Sequence, residues 1–278
     1  MPNLRIVYDN KADFPSSISA SSTSGNLYIS NTQTEYKTQI HRSIGSSVTY
    51  TLTWETGITV GCVGLPATNL TPDSTVQVKL YSTTTATTLV ADSGQLLAAP
   101  GLDLEMWDWA APLNVNTFSY GGLAKTTVWF DNQVENVKRC EIILNDTGPQ
   151  SAGYIDCAKI IVGSFWSPEF NLEAGFEMGI VDTSNISRTD SGSLVADRGI
   201  LHEFIRFDFS LLPEANRAQL TNILRKIGTS KNFLVSLLPN NENSSAEQDF
   251  IIYGKRTNNS FSNRVYSYYG HSMELIGW

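Results

Sequence analysis

Residues suited to stacking and hydrogen bonding crowd one stretch, EMWDWAAPLNVNTFSYGG at 105–122. Trp107, Trp109, Phe118 and Tyr120 are interspersed there with Asp108 and Asn116. Aromatic faces stack on the C–H faces of sugar rings, and carboxylates and amides pair with hydroxyls. The stretch could therefore bind carbohydrate, or its tryptophans could plug the end of a β-sandwich. A second stretch, YKTQIHRSIGSS at 36–47, places His41 and Arg42 just before a strand. Arg42 could clamp a ligand, cap a loop carbonyl or pair with Glu55. Asp9 and Asp13, in YDNKAD, could help to hold a structural Ca²⁺ ion. No other cofactor is expected.

Catalysis finds no comparable support. The three histidines, His41, His202 and His271, have no ligand-like spacing, and none joins a cysteine motif. There is no nucleophile elbow, Walker loop or dinucleotide fingerprint. Asp103, Glu105 and Asp108 are close in sequence. Glycoside hydrolysis instead needs two carboxylates facing each other about 5–10 Å apart, a geometry that neighbours in one short segment rarely present. The expectation is a protein that is not an enzyme. Cys62, Cys140 and Cys157 are odd in number and sit in apolar runs, so they read as buried free thiols.

The net charge is −8. Residues 1–165 hold nine basic against fourteen acidic side chains, and the remainder ten against thirteen. Neither half has the means to grip a phosphate backbone, which argues against nucleic acid as a partner. No apolar run approaches the roughly 20 residues of a membrane helix, so no membrane insertion is expected. The opening MPNLRIVYDNKADF is too polar for a secretion signal, which points to synthesis in a cytoplasm.

These groups must be positioned by β-structure. In VTYTLTWE, Val48, Tyr50, Leu52 and Trp54 alternate with Thr49, Thr51 and Thr53, the period-two signature of a half-buried strand. ITVGCVGL and TVQVKLYS continue the pattern around a Thr-Pro-Asp-Ser turn, with Val60, Cys62, Val76, Val78 and Leu80 inward and Gln77 and Lys79 outward. Short strands separated by turns predict a sandwich or barrel over residues 1–165. The Ser167-Pro168 step suits a domain junction. Beyond it, EFIRFDFS predicts a strand with Ile205, Phe207 and Phe209 on one face. Residues 213–227 predict a helix with Pro213 at its start, the stripe Leu220, Ile223, Leu224 and Ile227, and Gly228 as its stop. NFLVSLLP reads as a buried strand and NNENSSAEQ as a polar loop. Residues 166–278 thus form a smaller α+β unit, and the fold class is mainly β.

Two resemblances follow from these segments. TEYKTQIHRSIGSSVTYTLTWETGITVGCVGLPATNLTPDSTVQVKLYS, with AGYIDCAKIIVG as closing strand, resembles the galactose-binding-like, discoidin-type jelly roll over roughly residues 30–165. His41 stands where that pattern has Trp, while Arg42 and Ser43 match it. This resemblance implies a sugar-binding surface, with Trp107, Asp108, Trp109, Tyr120, His41 and Arg42 as candidates. The whole chain also resembles tail-tip proteins of tailed bacteriophages, through NLRIVYDN, WDWAAPLNVNTFSYGG, GSFWSPEFNLEAG and PEANRAQLTNILRKIG. Residues 166–278 are similar to the tube-like β-barrel of distal-tail proteins, with Arg217, Ala218 and Leu220 carrying the R-A-x-L element. That resemblance implies a virion structural protein of the tail tip or baseplate. It would form a homo-oligomeric ring against the tail tube and the baseplate or hub proteins, with the jelly roll outward and host polysaccharide as a further partner.

Overall fold

A computed structural model describes residues 3–101, 115–116, 122–173, 175–239, 245–265 and 268–278. The chain is mainly β. It divides into two compact units: Met1–Ser167 with Leu234–Ile251, and Pro168–Phe233 with Ile252–Trp278. The return of residues 234–251 to the first unit has no counterpart in the sequence reading.

The first unit carries strands β1 (Arg5–Val7), β2 (Ser17–Ala20), β3 (His41–Arg42), β4 (Ser47–Thr68), β5 (Thr75–Tyr81), β6 (Leu89–Asp92), β7 (Leu96–Leu97), β8 (Ala124–Asn145), β9 (Asp156–Cys157) and β10 (Ile161–Gly163). Its main sheet runs β3-β9-β4-β8-β5-β6, with β2 and β10 also on β4 and β7 on β5. β4 and β8 pair antiparallel along most of their length, with register shifts between Thr53 and Cys62. Gly57 lies there, and a side chain on it would overlap Asn136, which has φ +57°. Such irregularities bend a strand. The bend carries β4 from its pairing with β2 to its pairing with β10.

Alternation determines what this unit buries. Val48, Tyr50, Leu52 and Trp54 join Val60, Val76, Val78 and Leu80 in one core. From Val60 to Thr68, however, β4 is buried on both faces, which simple alternation does not give. Cys62, Cys140 and Cys157 are free and buried, as expected. Burial pushes all three thiols up, Cys157 to about 12, so they do not serve as nucleophiles at neutral pH.

The second unit holds β11 (Glu177–Asp182), β12 (Asn185–Arg188), β13 (Leu194–Asp197), β14 (Leu201–Pro213) and helix α1 (Glu214–Ile227). The chain then passes through β15 (Phe233–Ser236) and helix α2 (Ser245–Asp249) to β16 (Ile251–Val265) and β17 (Tyr268–Gly277). β17 lies between β16 and β14, and β11 pairs with the other edge of β14. Ile205, Phe207 and Phe209 are buried, as are Leu220, Ile223, Leu224 and Ile227 of α1. Pro213 is the N-cap rather than the first helical residue, and Gly228 closes the helix at φ +63°. Arg256 donates from Nη2 at 3.0 Å to the Leu224 carbonyl, which also accepts from the Gly228 N–H at 3.0 Å.

The segment expected as a polar loop, NNENSSAEQ, includes the short helix α2. Glu247 on it is buried. Its Oε1 accepts from Trp129 Nε1 at 2.5 Å, Thr127 Oγ1 at 3.1 Å and Ser236 Oγ at 3.3 Å.

Candidate functional site

The strand ends of the first unit gather several loops together. Ser47 and Thr75 both pair with Asn145, and Thr68 pairs with both Ala124 and Cys157. Asn69–Ser74 connects these places, with Ser74 N–H donating to the Thr71 carbonyl in the expected Thr-Pro-Asp-Ser turn. One end of the unit is therefore built from the chain around residues 42–47, 69–74, 98–99 and 145–157.

Arg42 lies at that end. Its Nε and Nη2 donate to the two carboxylate oxygens of Asp156, each at 2.7 Å. Its guanidinium also stacks 4.0 Å from the Tyr154 ring centroid. The Asp156 carboxylate raises the Arg42 pKa above its ordinary value. Arg42 therefore pairs with Asp156, from the closing strand, and not with Glu55. Asn69 locks the partner strand: its Oδ1 accepts from Asp156 N–H at 2.7 Å, and its Nδ2 donates to the Tyr154 carbonyl at 3.0 Å. The pair is half-buried, with side chains 33% and 19% exposed. It leaves Nη1 of Arg42 outside the bidentate contact. The Arg42 N–H donates to the Leu27 carbonyl, and Tyr28 beside it is exposed.

His41 is placed differently. It is fully buried. Nε2 lies 3.1 Å from the Ser22 carbonyl and Nδ1 3.0 Å from the Tyr50 hydroxyl. A carbonyl can only accept, so Nε2 carries the proton and Nδ1 accepts from Tyr50. Burial lowers its pKa. His41 ties the Ser22 loop to the core, which removes it from any ligand-contacting surface.

Trp107, Asp108, Trp109 and Tyr120 lie outside the described residues. Asn116, which is described, donates from Nδ2 to the carbonyls of Leu70 and Ala99, each at 3.0 Å. Leu70 follows Asn69 in sequence.

Asp9 and Asp13, the candidate Ca²⁺ ligands, face ammonium groups. Asp9 Oδ2 accepts from Lys11 Nζ at 2.7 Å. Asp13 Oδ1 accepts at 2.7 Å from Lys159 Nζ, which also donates to the Thr34 carbonyl at 3.2 Å and Glu35 Oε1 at 3.1 Å. The Lys159 side chain is fully buried. A lysine ammonium thus faces one carboxylate oxygen of each aspartate. Among the described residues no group of three or more His, Cys, Asp or Glu side chains could hold a metal.

Sequence reasoning missed Tyr154, Asp156 and Asn69. The signal available was the spacing of Tyr154 and Asp156, two apart in GYIDC, which puts both on one side of an extended chain.

The fold is a mainly β arrangement, with the polar cluster at the strand ends of its first unit. No protein-family model matches the chain, and no curated protein matches it. Among solved structures it is similar to a fucose-binding module of Streptococcus pneumoniae, with TM-score 0.37 and 11% identity over 56% of this chain and 98% of that one. It is also similar to a carbohydrate-binding module from a family 31 glycoside hydrolase of Clostridium perfringens, with TM-score 0.35 and 13% identity over 54% and 90% of the two chains. The lectin domain of lectinolysin gives TM-score 0.36 and 14% identity over 56% and 97%. Likeness at this level assigns no ligand.

Proposed function

We propose that the protein binds carbohydrate through the loop end of its first unit, attaching to surface polysaccharide without turning it over. The observation that carries this reading is the half-buried Arg42–Asp156 pair stacked on Tyr154. A guanidinium beside a carboxylate offers a donor and an acceptor at the spacing of neighbouring sugar hydroxyls. Asn69 holds the pair rigid, so little ordering is needed on binding. The pair is electrically balanced, which favours neutral sugars. Trp107, Trp109 and Tyr120, with Asp108, would supply stacking and further hydrogen bonds. The test is a glycan array probed with the full-length protein and with Arg42→Ala. Retention of defined glycans that falls at least tenfold in the variant is expected. No glycan retained by the wild type, or equal retention by both, rejects the assignment.

A second reading is a virion structural protein of a phage tail tip or baseplate. It would assemble as a homo-oligomeric ring with tail-tube and hub proteins as neighbours, in a virion made in a bacterial cytoplasm. What favours it is the exposed apolar surface of residues 177–201 in the second unit. Electron microscopy of purified particles, with the protein absent from the tail, would end this reading.

A further inference from the structure

The sheet of the second unit does not end where its core ends. β11 and β14 pair from Glu177↔Arg206 to Asp182↔Leu201, and the same two chains continue as β12 and β13. Together they form one long ribbon with its turn at Thr189–Ser193. Residues directly opposite in an antiparallel pair share a face. Met178 opposite Ile205, Ile180 opposite Glu203 and Asp182 opposite Leu201 therefore lie on one face. Ile205 is buried in the core at the base of that face. Further out, Ile180 is 70% exposed and Leu201 64%. In the distal part Ile186, Ala196, Leu194 and Arg188 share a face, with Ile186 62% and Leu194 64% exposed. Core-type side chains thus continue where, among the described residues, they are left exposed. An isolated two-stranded ribbon is at best marginally stable in water.

We propose that this ribbon docks on the ribbon of a second copy of the chain, apolar face on apolar face and antiparallel. The two-fold axis would pass near Ser184 and Gly199. Charge selects both partner and direction. Asp182 and Glu203 lie on the apolar face near the base, and Arg188 lies beside Ile186 near the tip. An antiparallel copy sets Arg188 over the acidic base of its partner at both ends of the interface. A parallel copy would set acid on acid. A side chain on Gly199 would lie within 2.4 Å of the Ser184 nitrogen, so the ribbon's own two strands approach closely at its middle. The area also fits. A ribbon of about a dozen residue pairs is about 40 Å long. One face then covers roughly 600 Å² per copy, roughly 1,200 Å² in all, the lower end of stable interfaces. A reversible dimer in the micromolar range follows. The proposal is independent of the carbohydrate assignment.

Sedimentation velocity of the full chain between about 1 and 100 μM tests it. The wild type should pass from monomer to dimer, and Ile180→Asp with Leu201→Asp should remain monomeric. Arg188→Asp, which also removes the 3.0 Å hydrogen bond from Arg188 Nη1 to the Gly192 carbonyl in the ribbon's own turn, should weaken dimerisation about tenfold. Adding Asp182→Arg and Glu203→Arg to it should restore association. A wild type that is monomeric throughout, or an Arg188→Asp chain that dimerises like the wild type, overturns the proposal. So does a charge-exchanged chain that fails to recover while its circular dichroism melt matches the wild type.

Discussion

Replacing Lys159 by Met should be among the most damaging single changes in the first unit. The ammonium is fully buried and donates to Asp13, Glu35 and the Thr34 carbonyl. Methionine keeps the volume and removes the charge. Breaking a buried pair by removing one partner costs about 3–5 kcal/mol. Here the Glu35 side chain is 46% exposed and Asp13 20%, so both can recover some water, and about 3 kcal/mol is the working figure. For a unit of this size that lowers Tm by roughly 6–12 °C. Burial already raises the Asp13 carboxyl above its ordinary value, and the Lys159 ammonium opposes that. Without the ammonium the carboxyl rises further. A folded carboxyl raised above its unfolded value favours the native state at low pH and disfavours it as pH climbs through the folded value. The loss in Lys159→Met should therefore be largest at pH 7 and shrink toward pH 4. Thermal melts of both proteins at the two pH values measure this. A Tm change below about 2 °C at pH 7, or an equal loss at both pH values, would refute the reasoning.

Three further outcomes follow from the same structure. Because Lys159 supplies its own positive charge, millimolar Ca²⁺ or a chelator should leave the Tm of the wild type unchanged, but a shift of several degrees would mean a metal site elsewhere. His41 is held neutral, so the unfolded chain takes up its proton first. Stability should fall as pH drops below about 6.5, and His41→Gln should flatten that slope in urea titrations. Gly254→Ala would bring a methyl within 2.0 Å of the Ile276 carbonyl oxygen. The atoms met are backbone of β17 and cannot swing aside, so a loss of about 3 kcal/mol in chemical denaturation is expected, the upper end of the usual range for added methyl groups.

Local pattern made the strands and the helix legible. Val48 to Trp54, Val76 to Leu80, and the α1 stripe each state their buried face by spacing alone. The pattern is weakest where tertiary partners override it: β4 is covered on both faces from Val60 onward, and a polar run holds the buried Glu247. The candidate site was half legible. Arg42 stood out, but its partner Asp156 is 114 residues away and Lys159 is 146 residues from Asp13. Neither pairing leaves a short-range trace. His41 was misplaced because a histidine beside an arginine before a strand looks the same whether the ring points to solvent or to Tyr50.

The return of Leu234–Ile251 to the first unit sets an order on biosynthesis. The strand that pairs with β1 through Val7↔Leu234 and Arg5↔Ser236 is made more than two hundred residues after its partner. Chains grow at about 5–20 residues per second, so β1 waits on the order of ten seconds or more without its mate. Glu247, the acceptor for Trp129 and Thr127, arrives later still. The first unit therefore cannot complete itself on the ribosome until residues 168–233 of the second have been made. A ribosome stalled at residue 167 would hold a sandwich with an open seam, and that seam is where a chaperone would find it.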